Sequence, residues 1–243
     1  AYGRKVSGEE IVQVSPDGSR ERVLYSTAYS PSENLLRVGR IQALSVVGQD
    51  LVFFRKEENG AALLKLPLTA AASSPRTAVS AAAPEAIAAI RMPENTHLKE
   101  LAGNHAEQMF FTTQRGTLFS VTGQTITPVS PSSELPALHF PVNIVTEDHR
   151  RLYYLDPHEA AVYRIDTDRV PYIPEAVLTL DELARHVPEA AESEFTDISI
   201  SSGRLMIATT DHLVFLDGLG EIREIRGHYR YPAHVVALRV LYW

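Results

Sequence analysis

Short apolar runs separated by turn residues fill most of the chain. Residues 151–168, "RLYYLDPHEAAVYRIDTD", show the pattern. Two apolar runs, Leu152–Leu155 and Ala160–Ile165, flank a polar tip of Asp156, Pro157, His158 and Glu159, which predicts a β-hairpin. Its second strand has counterparts at Ile11–Val14, Leu63–Leu66, Leu118–Val121 and Leu213–Leu216, about 50 residues apart. The third position is polar in four of the five copies, as expected of a buried strand with one site near solvent.

A bulkier apolar run precedes most of these: Leu51–Phe54, Met109–Phe111, Leu152–Tyr154 and Leu205–Ile207. Ahead of each lies another strand pattern, "IQALSVV", "LKELA", "VNIVT" and "DISIS". After each comes a weaker one: "RTAVSA" or "EAIAAI", then "QTITPV", "EAVLTL" and "EIREI". Four strands recurring at this period predict an all-β fold, a β-propeller of four-stranded blades within one domain spanning residues 1–243. The first copy, Glu10–Val14, has no partner upstream. The final "HVVALRVLYW" has an inner-strand pattern and a Leu241-Tyr242-Trp243 run with nothing downstream. Joined head to tail, the two ends restore one blade, so the expected count is five, closed by strands from both termini.

Two stretches interrupt the repeat. Residues 67–97 are rich in Ala, Ser and Pro and read as a connection between blades; the alanines around Glu85–Ile90 also suit a short helix. Residues 170–195 predict a helix over Leu180–Val187, with Thr179 and Glu182 forming a capping box and Pro188 ending it. Such insertions lie on a propeller's exterior, where partners are readily recognised.

The segment "GRLMIATTDHLVFLDGLGEIREIRGHYRYPAHVVAL" resembles an NHL repeat: a first strand, a polar tip, a second strand ending in a Gly turn, then Gly227, and Pro232 opening the next inner strand. "RLYYLDPHEAAVYRID" and "EIVQVSPDGSRERVL" fit the same template, although the Arg or Lys usual after the tip is Val or Ala here. The resemblance implies a propeller. It leaves function to the site.

In such a blade the tips between second and third strands share one face with the connections between blades. That face gathers Arg55–Gly60, Gln114–Arg115, Asp156–Glu159 and Asp211–His212, together with Tyr29–Arg40, Ser130–His139 and Arg226–Tyr231. Its densest feature is "RGHYRYP", residues 226–232, whose Tyr and Arg are the types enriched at binding hot spots. The candidate partner-binding residues are therefore Arg226, His228, Tyr229, Arg230, Tyr231, His158, Glu159, His212 and Arg115.

Composition narrows the alternatives. The 243 residues are 44% hydrophobic and 22% charged, with net charge −7. That acidic balance speaks against a nucleic-acid surface, although Arg37, Arg40, Arg55, Arg115, Arg226 and Arg230 are the residues NHL-type binding of single-stranded RNA would use. No apolar run approaches the ~18 residues of a membrane span. With no Cys, disulfides, thiolate metal sites and a Cys nucleophile are excluded. An opening Ala in place of Met suits a processed or excised chain, a subunit or fragment of a larger assembly.

No Gly-x-Ser-x-Gly elbow or Gly-rich phosphate loop occurs. His139, His158, His212 and His228 could share a zinc ion only by converging across loops. Likeness to gluconolactonase-type propellers would recruit Glu147, Asn143, Asn104 and Asp197 for a divalent metal in the channel. The inner strands are mostly small and apolar, which favours binding over catalysis. The expectation is a non-catalytic module without a cofactor that binds a protein or peptide on its loop face. A metal-dependent propeller hydrolase or lactonase is the rival.

Overall fold

The computed structural model describes residues 8–15, 17–19, 21–28, 40–68, 83–91, 97–103, 108–114, 117–129, 142–147, 150–170, 172–201 and 203–227. Among these, eighteen strands form five antiparallel sheets. Blade 1 holds β1 (Gly8–Val14) and β2 (Glu21–Ala28). Blade 2 holds β3 (Ile41–Val47), β4 (Asp50–Glu57), β5 (Gly60–Pro67) and β6 (Glu85–Arg91). Blade 3 holds β7 (Leu98–Gly103), β8 (Gln108–Thr113), β9 (Leu118–Thr122) and β10 (Thr125–Pro128). Blade 4 holds β11 (Val142–Glu147), β12 (Arg151–Asp156), β13 (Ala161–Asp166) and β14 (Glu175–Thr179). Blade 5 holds β15 (Phe195–Ser201), β16 (Arg204–Thr209), β17 (His212–Leu216) and β18 (Ile222–Gly227). Each four-stranded sheet is ordered as in the chain, with every strand paired to its sequence neighbour. The molecule is a β-propeller.

The second strand of each blade explains the packing. Side chains alternate between the faces of a strand, so a strand between two neighbours must be apolar on both. In β4, Leu51 and Phe53 pack with Ile11, Leu24 and Tyr25 of blade 1. Val52 and Phe54 face the other way, onto Leu98, Met109 and Phe111 of blade 3. Phe110, next to Phe111, instead packs with Leu152 and Tyr154 of blade 4. Tyr153 and Leu155 then join Ile198, Leu205, Ile207 and Val214 of blade 5. The core is thus four apolar layers, each shared by two adjacent sheets.

The alanine-rich segment that also suited a helix is strand β6 over Glu85–Arg91. Ala88 and Ile90 are buried against blade 3, and the run pairs with β5 from Gly60↔Arg91 to Lys65↔Glu85. Ladder and burial together override alanine's helix propensity. The helix after β14 is present as α1 (Leu180–His186), followed by a short 3-10 turn, Pro188–Glu192. Its capping box forms: Thr179 Oγ1 accepts from Glu182 N at 3.2 Å, and Glu182 Oε2 accepts from Thr179 N at 2.9 Å. The residues expected to close the ring from the C-terminal side, 234–243, lie outside the described ones.

Candidate functional site

The tips β4–β5, β8–β9, β12–β13 and β16–β17 all point to one end of the propeller, and α1 begins there. The inner strands β3, β7, β11 and β15 each carry a register shift near this end, between Gln42 and Leu44, Leu98 and Glu100, Val142 and Val145, and Phe195 and Asp197. An extra residue bends a strand and re-aims the side chains beyond it, and such bulges gather at the rims of closed sheets and beside sites. Lys99, Glu100, Thr196 and Asp197 lie at two of these shifts, at the tip end of β7 and β15.

Side-chain bonds hold this end in shape. Gln42 spans blades 2 and 3: its Nε2 lies 3.3 Å from His97 Nδ1, and its Oε1 accepts from Leu98 N at 3.3 Å. At the blade 4 tip the buried Asp156 accepts from His158 N at 2.9 Å and Glu159 N at 3.3 Å. This Asx turn leaves the side chains of His158 and Glu159 exposed. Leu180 N then donates to Ala160 O at 3.1 Å, which ties the helix start to the same tip.

The blade 5 tip carries the most connected polar cluster. Asp211 Oδ1 accepts from Thr209 Oγ1 at 3.0 Å and from Ser193 Oγ, and His212 Nδ1 lies 2.9 Å away. Thr209 Oγ1 in turn accepts from His212 N at 2.9 Å. The backbone adds Thr210 N to Glu194 O at 2.9 Å. Ser193 follows the 3-10 turn, so this cluster fastens the insertion to the tip. Leu183 and Ala190, both fully buried, seal its underside. Ser, His and Asp are together, but not as nucleophile and base: the serine hydroxyl donates straight to the carboxylate rather than to the imidazole. The imidazole, at 3% exposure, is closed to substrate.

Burial pushes the Asp211 carboxyl up. The hydrogen bonds from Ser193, the His212 imidazole and Thr209 outweigh it and hold the group below its ordinary value. A lowered folded-state value contributes stability at pH above the unfolded carboxyl's range, lost as pH falls through the folded value. Asp211→Asn therefore lowers the melting temperature at neutral pH. The gap to the parent narrows below about pH 4. Thermal melts of both proteins from about pH 3 to 7 measure this, and a pH-independent gap would show that charge is not what matters at this position.

The described candidate residues therefore divide. His158 and Glu159 are exposed at a fixed tip. His212 is buried beneath its own. Arg226 is exposed on β18, where it bonds Glu224 Oε1 at 2.6 Å and lies 5.1 Å over the Phe215 ring. Arg115, His228, Tyr229, Arg230 and Tyr231 lie outside the described residues, as do His139, Asn104 and Arg37. Two further tip arginines are also paired: Arg40 with Glu9 at 3.7 Å, and Arg55 with Glu57 at 2.7 Å and Tyr25 Oη at 3.3 Å. Of the residues a channel metal would recruit, Asp197 sits at the tip end opposite Ala208, whereas Glu147 pairs with Arg151 at the far end of β11. Four residues of strand rise, about 13 Å, separate those levels. Among the described residues no three of His, Asp and Glu lie close enough to share a metal ion.

Sequence reasoning missed the Ser193–Asp211 bond. Half its signal was readable: "TTDH" places a threonine two residues before an aspartate at a strand tip, a turn-forming arrangement. The serine lies 18 residues upstream, brought in only by the path of the insertion.

No protein-family model matches the chain, and no curated protein matches it. Solved structures do. The β-propeller domain of Cps50 (Swd1) from Myceliophteria thermophila aligns at TM-score 0.51 and 12% identity, covering 83% of this chain and 59% of that one. A functionally unknown protein from Desulfotomaculum acetoxidans aligns at 0.53 and 10%, covering 89% and 63%. The WD40 domain of Pan2 from Neurospora crassa aligns at 0.50 and 12%, covering 82% and 53%. The chain thus spans a little over half the length of these structures. At such identities the likeness shows the fold alone: this is an all-β propeller.

Proposed function

We propose that the chain is a non-catalytic interaction module that binds a protein or peptide on its tip face. One observation carries this reading. The insertion between β14 and β15 is fastened over the tips of blades 4 and 5 by the capping box, the Ser193–Asp211 bond and the buried Leu183 and Ala190, yet it turns Asp181, Arg185, Glu189 and Glu192 outward. A rigid seat that presents charged side chains limits the ordering cost of binding. Glu159 and His158 continue that surface at the adjoining tip, and the "RGHYRYP" segment, with Arg226, His228, Tyr229, Arg230 and Tyr231, and Arg115 complete the proposed contact set. His212 supports it from beneath. The NHL-like template of residues 203–238 suits such a module. The carboxylate partners of Arg40, Arg55 and Arg226 favour a protein over single-stranded RNA, whose phosphates would compete with them.

The test compares two faces. A partner captured with the intact chain is identified, purified and titrated against variants. Glu159→Arg with Glu189→Arg weakens binding by about tenfold or more. Val170→Asp and Leu219→Asp, exposed on the turns at the opposite end, leave it unchanged. The reverse pattern would move the site to that opposite face. A stoichiometric metal whose removal lowers the melting temperature would overturn the reading in favour of a metal-dependent hydrolase.

A further inference from the structure

Three dipeptides in the chain join an aspartate or asparagine to a following glycine: Asp17-Gly18, Asn59-Gly60 and Asp217-Gly218. In each, the glycine nitrogen can attack the side-chain carbonyl carbon of the residue before it and close a five-membered ring. Glycine has no Cβ to obstruct that approach. The fold treats the three differently. Asp17 accepts from Ser15 Oγ at 2.6 Å, Ser19 Oγ at 2.7 Å and Ser19 N at 3.1 Å. Asp217 accepts from Glu221 N at 3.0 Å, Arg223 at 2.6 Å and Leu219 N at 2.8 Å. The Ser15 and Ser19 bonds lower the Asp17 carboxyl to about 2, and Asp217 is held below its ordinary value, chiefly by the Glu221 N–H, so both stay ionised. An ionised carboxylate resists the attack and offers no leaving group. Asn59 has no such anchor. It is exposed in the two-residue turn between the paired Glu57 and Gly60, and among the described residues its amide makes no hydrogen bond.

We propose that Asn59-Gly60 is a self-modifying site, at which attack by Gly60 N converts the asparagine to aspartate and isoaspartate. Gly60 N bonds to Asn59 Cγ, the Cγ–Nδ2 bond breaks, and ammonia leaves with the Gly60 proton. Water then opens the ring. Its addition at Cγ gives aspartate. Its addition at the main-chain carbonyl carbon of residue 59 gives isoaspartate, whose backbone runs through Cγ and is one methylene longer. Either product places a negative charge beside Glu58 and Glu57, the latter already paired with Arg55 at 2.7 Å. The longer product also enters a hairpin with no slack. Loop length sets strand register, and Gly60 lies so close to the Ile90 carbonyl that not even a Cβ fits between them. The modification therefore alters the tip of blade 2 and loosens the β5–β6 ladder. This chemistry needs no partner and stands whichever face binds one.

Trypsin separates the three sites into residues 57–65, 6–20 and 205–223. The intact chain is aged for weeks in mildly alkaline buffer, folded and in denaturant. Each peptide is then read by mass spectrometry and by enzymatic methylation of isoaspartate. Folding is expected to slow Asp17 and Asp217 at least about tenfold and Asn59 by less than that, so isoaspartate accumulates first in 57–65 of the folded chain. Asn59→Gln, which would have to close a larger ring, leaves that peptide unmodified. Slowing of Asn59 by about tenfold or more on folding would overturn the proposal, as would isoaspartate appearing first at residue 17 or 217. The isoaspartate form melts below Asn59→Asp, which carries the charge without the extra backbone atom. Equal melting of the two would overturn the effect on the ladder.

Discussion

Replacing Phe111 by alanine lowers the unfolding free energy by about 3–5 kcal/mol, the range for losing a fully buried aromatic side chain. Phe111 has no exposed surface and belongs to the layer shared by blades 2 and 3. Its ring meets Phe54 of blade 2 edge-on at 5.2 Å and stacks on Phe119 of its own blade at 5.0 Å. Truncation removes both contacts and leaves a void between two sheets whose backbones are fixed by their ladders, so the walls cannot collapse into it. Phe215→Ala is the internal control. That ring is half-buried on the outer side of blade 5, with Arg226 over it, and its loss costs about 1–1.5 kcal/mol. Denaturant melts followed by circular dichroism read both. Equal losses for the two variants would mean that the inter-blade layers are not where stability resides.

Gly60→Ala is the second large effect, and it arises from backbone rather than side chain. Gly60 opens β5 at the β4–β5 tip with φ +155°, paired with Glu57 on one side and Arg91 on the other. A Cβ there would fall inside the Ile90 carbonyl and crowd the Arg91 Cα. Neither is the end of a flexible side chain, so β6 must move away from β5 and break the ladder that turns the alanine-rich segment into a strand. The expected loss is about 2–3 kcal/mol, in the range of overpacked sites. Gly123→Ala separates this clash from conformational strain. Gly123 also has positive φ, +56°, but a Cβ there meets nothing within 4 Å, so only the left-handed backbone cost of about 1–2 kcal/mol remains. Comparable melting temperatures for the two variants would rule out the clash as the cause.

The fold was legible where one residue type answers one demand. Phe53-Phe54 and Phe110-Phe111 are adjacent aromatics, which only a strand covered on both faces can bury, and each pair splits between two layers as the pattern requires. Thr179 and Glu182 satisfy a local, four-residue geometry, and their capping box was readable for that reason. The Glu85–Ile90 segment was ambiguous because alanine suits both helix and buried strand, and pairing with β5 decides only after folding. The site was harder to read. Turn chemistry located the tips, but it put His212 on the binding face, whereas the histidine alternates with Val214 and Leu216 on the buried side of β17. Which side chains bond across the tips depends on where the insertion runs. No local pattern encodes the meeting of Ser193 with Asp211 or of Gln42 with His97.

Because every apolar layer belongs to two blades at once, no blade has a core of its own to retain once a neighbour leaves. The described blades are coupled each to its neighbour, so stability spreads along the series rather than residing in any single sheet. Blades 2, 3 and 4 are each held from both sides, so their amides exchange slowest. Loosening of any one layer therefore strains the next, and it spreads from blade to blade one layer at a time.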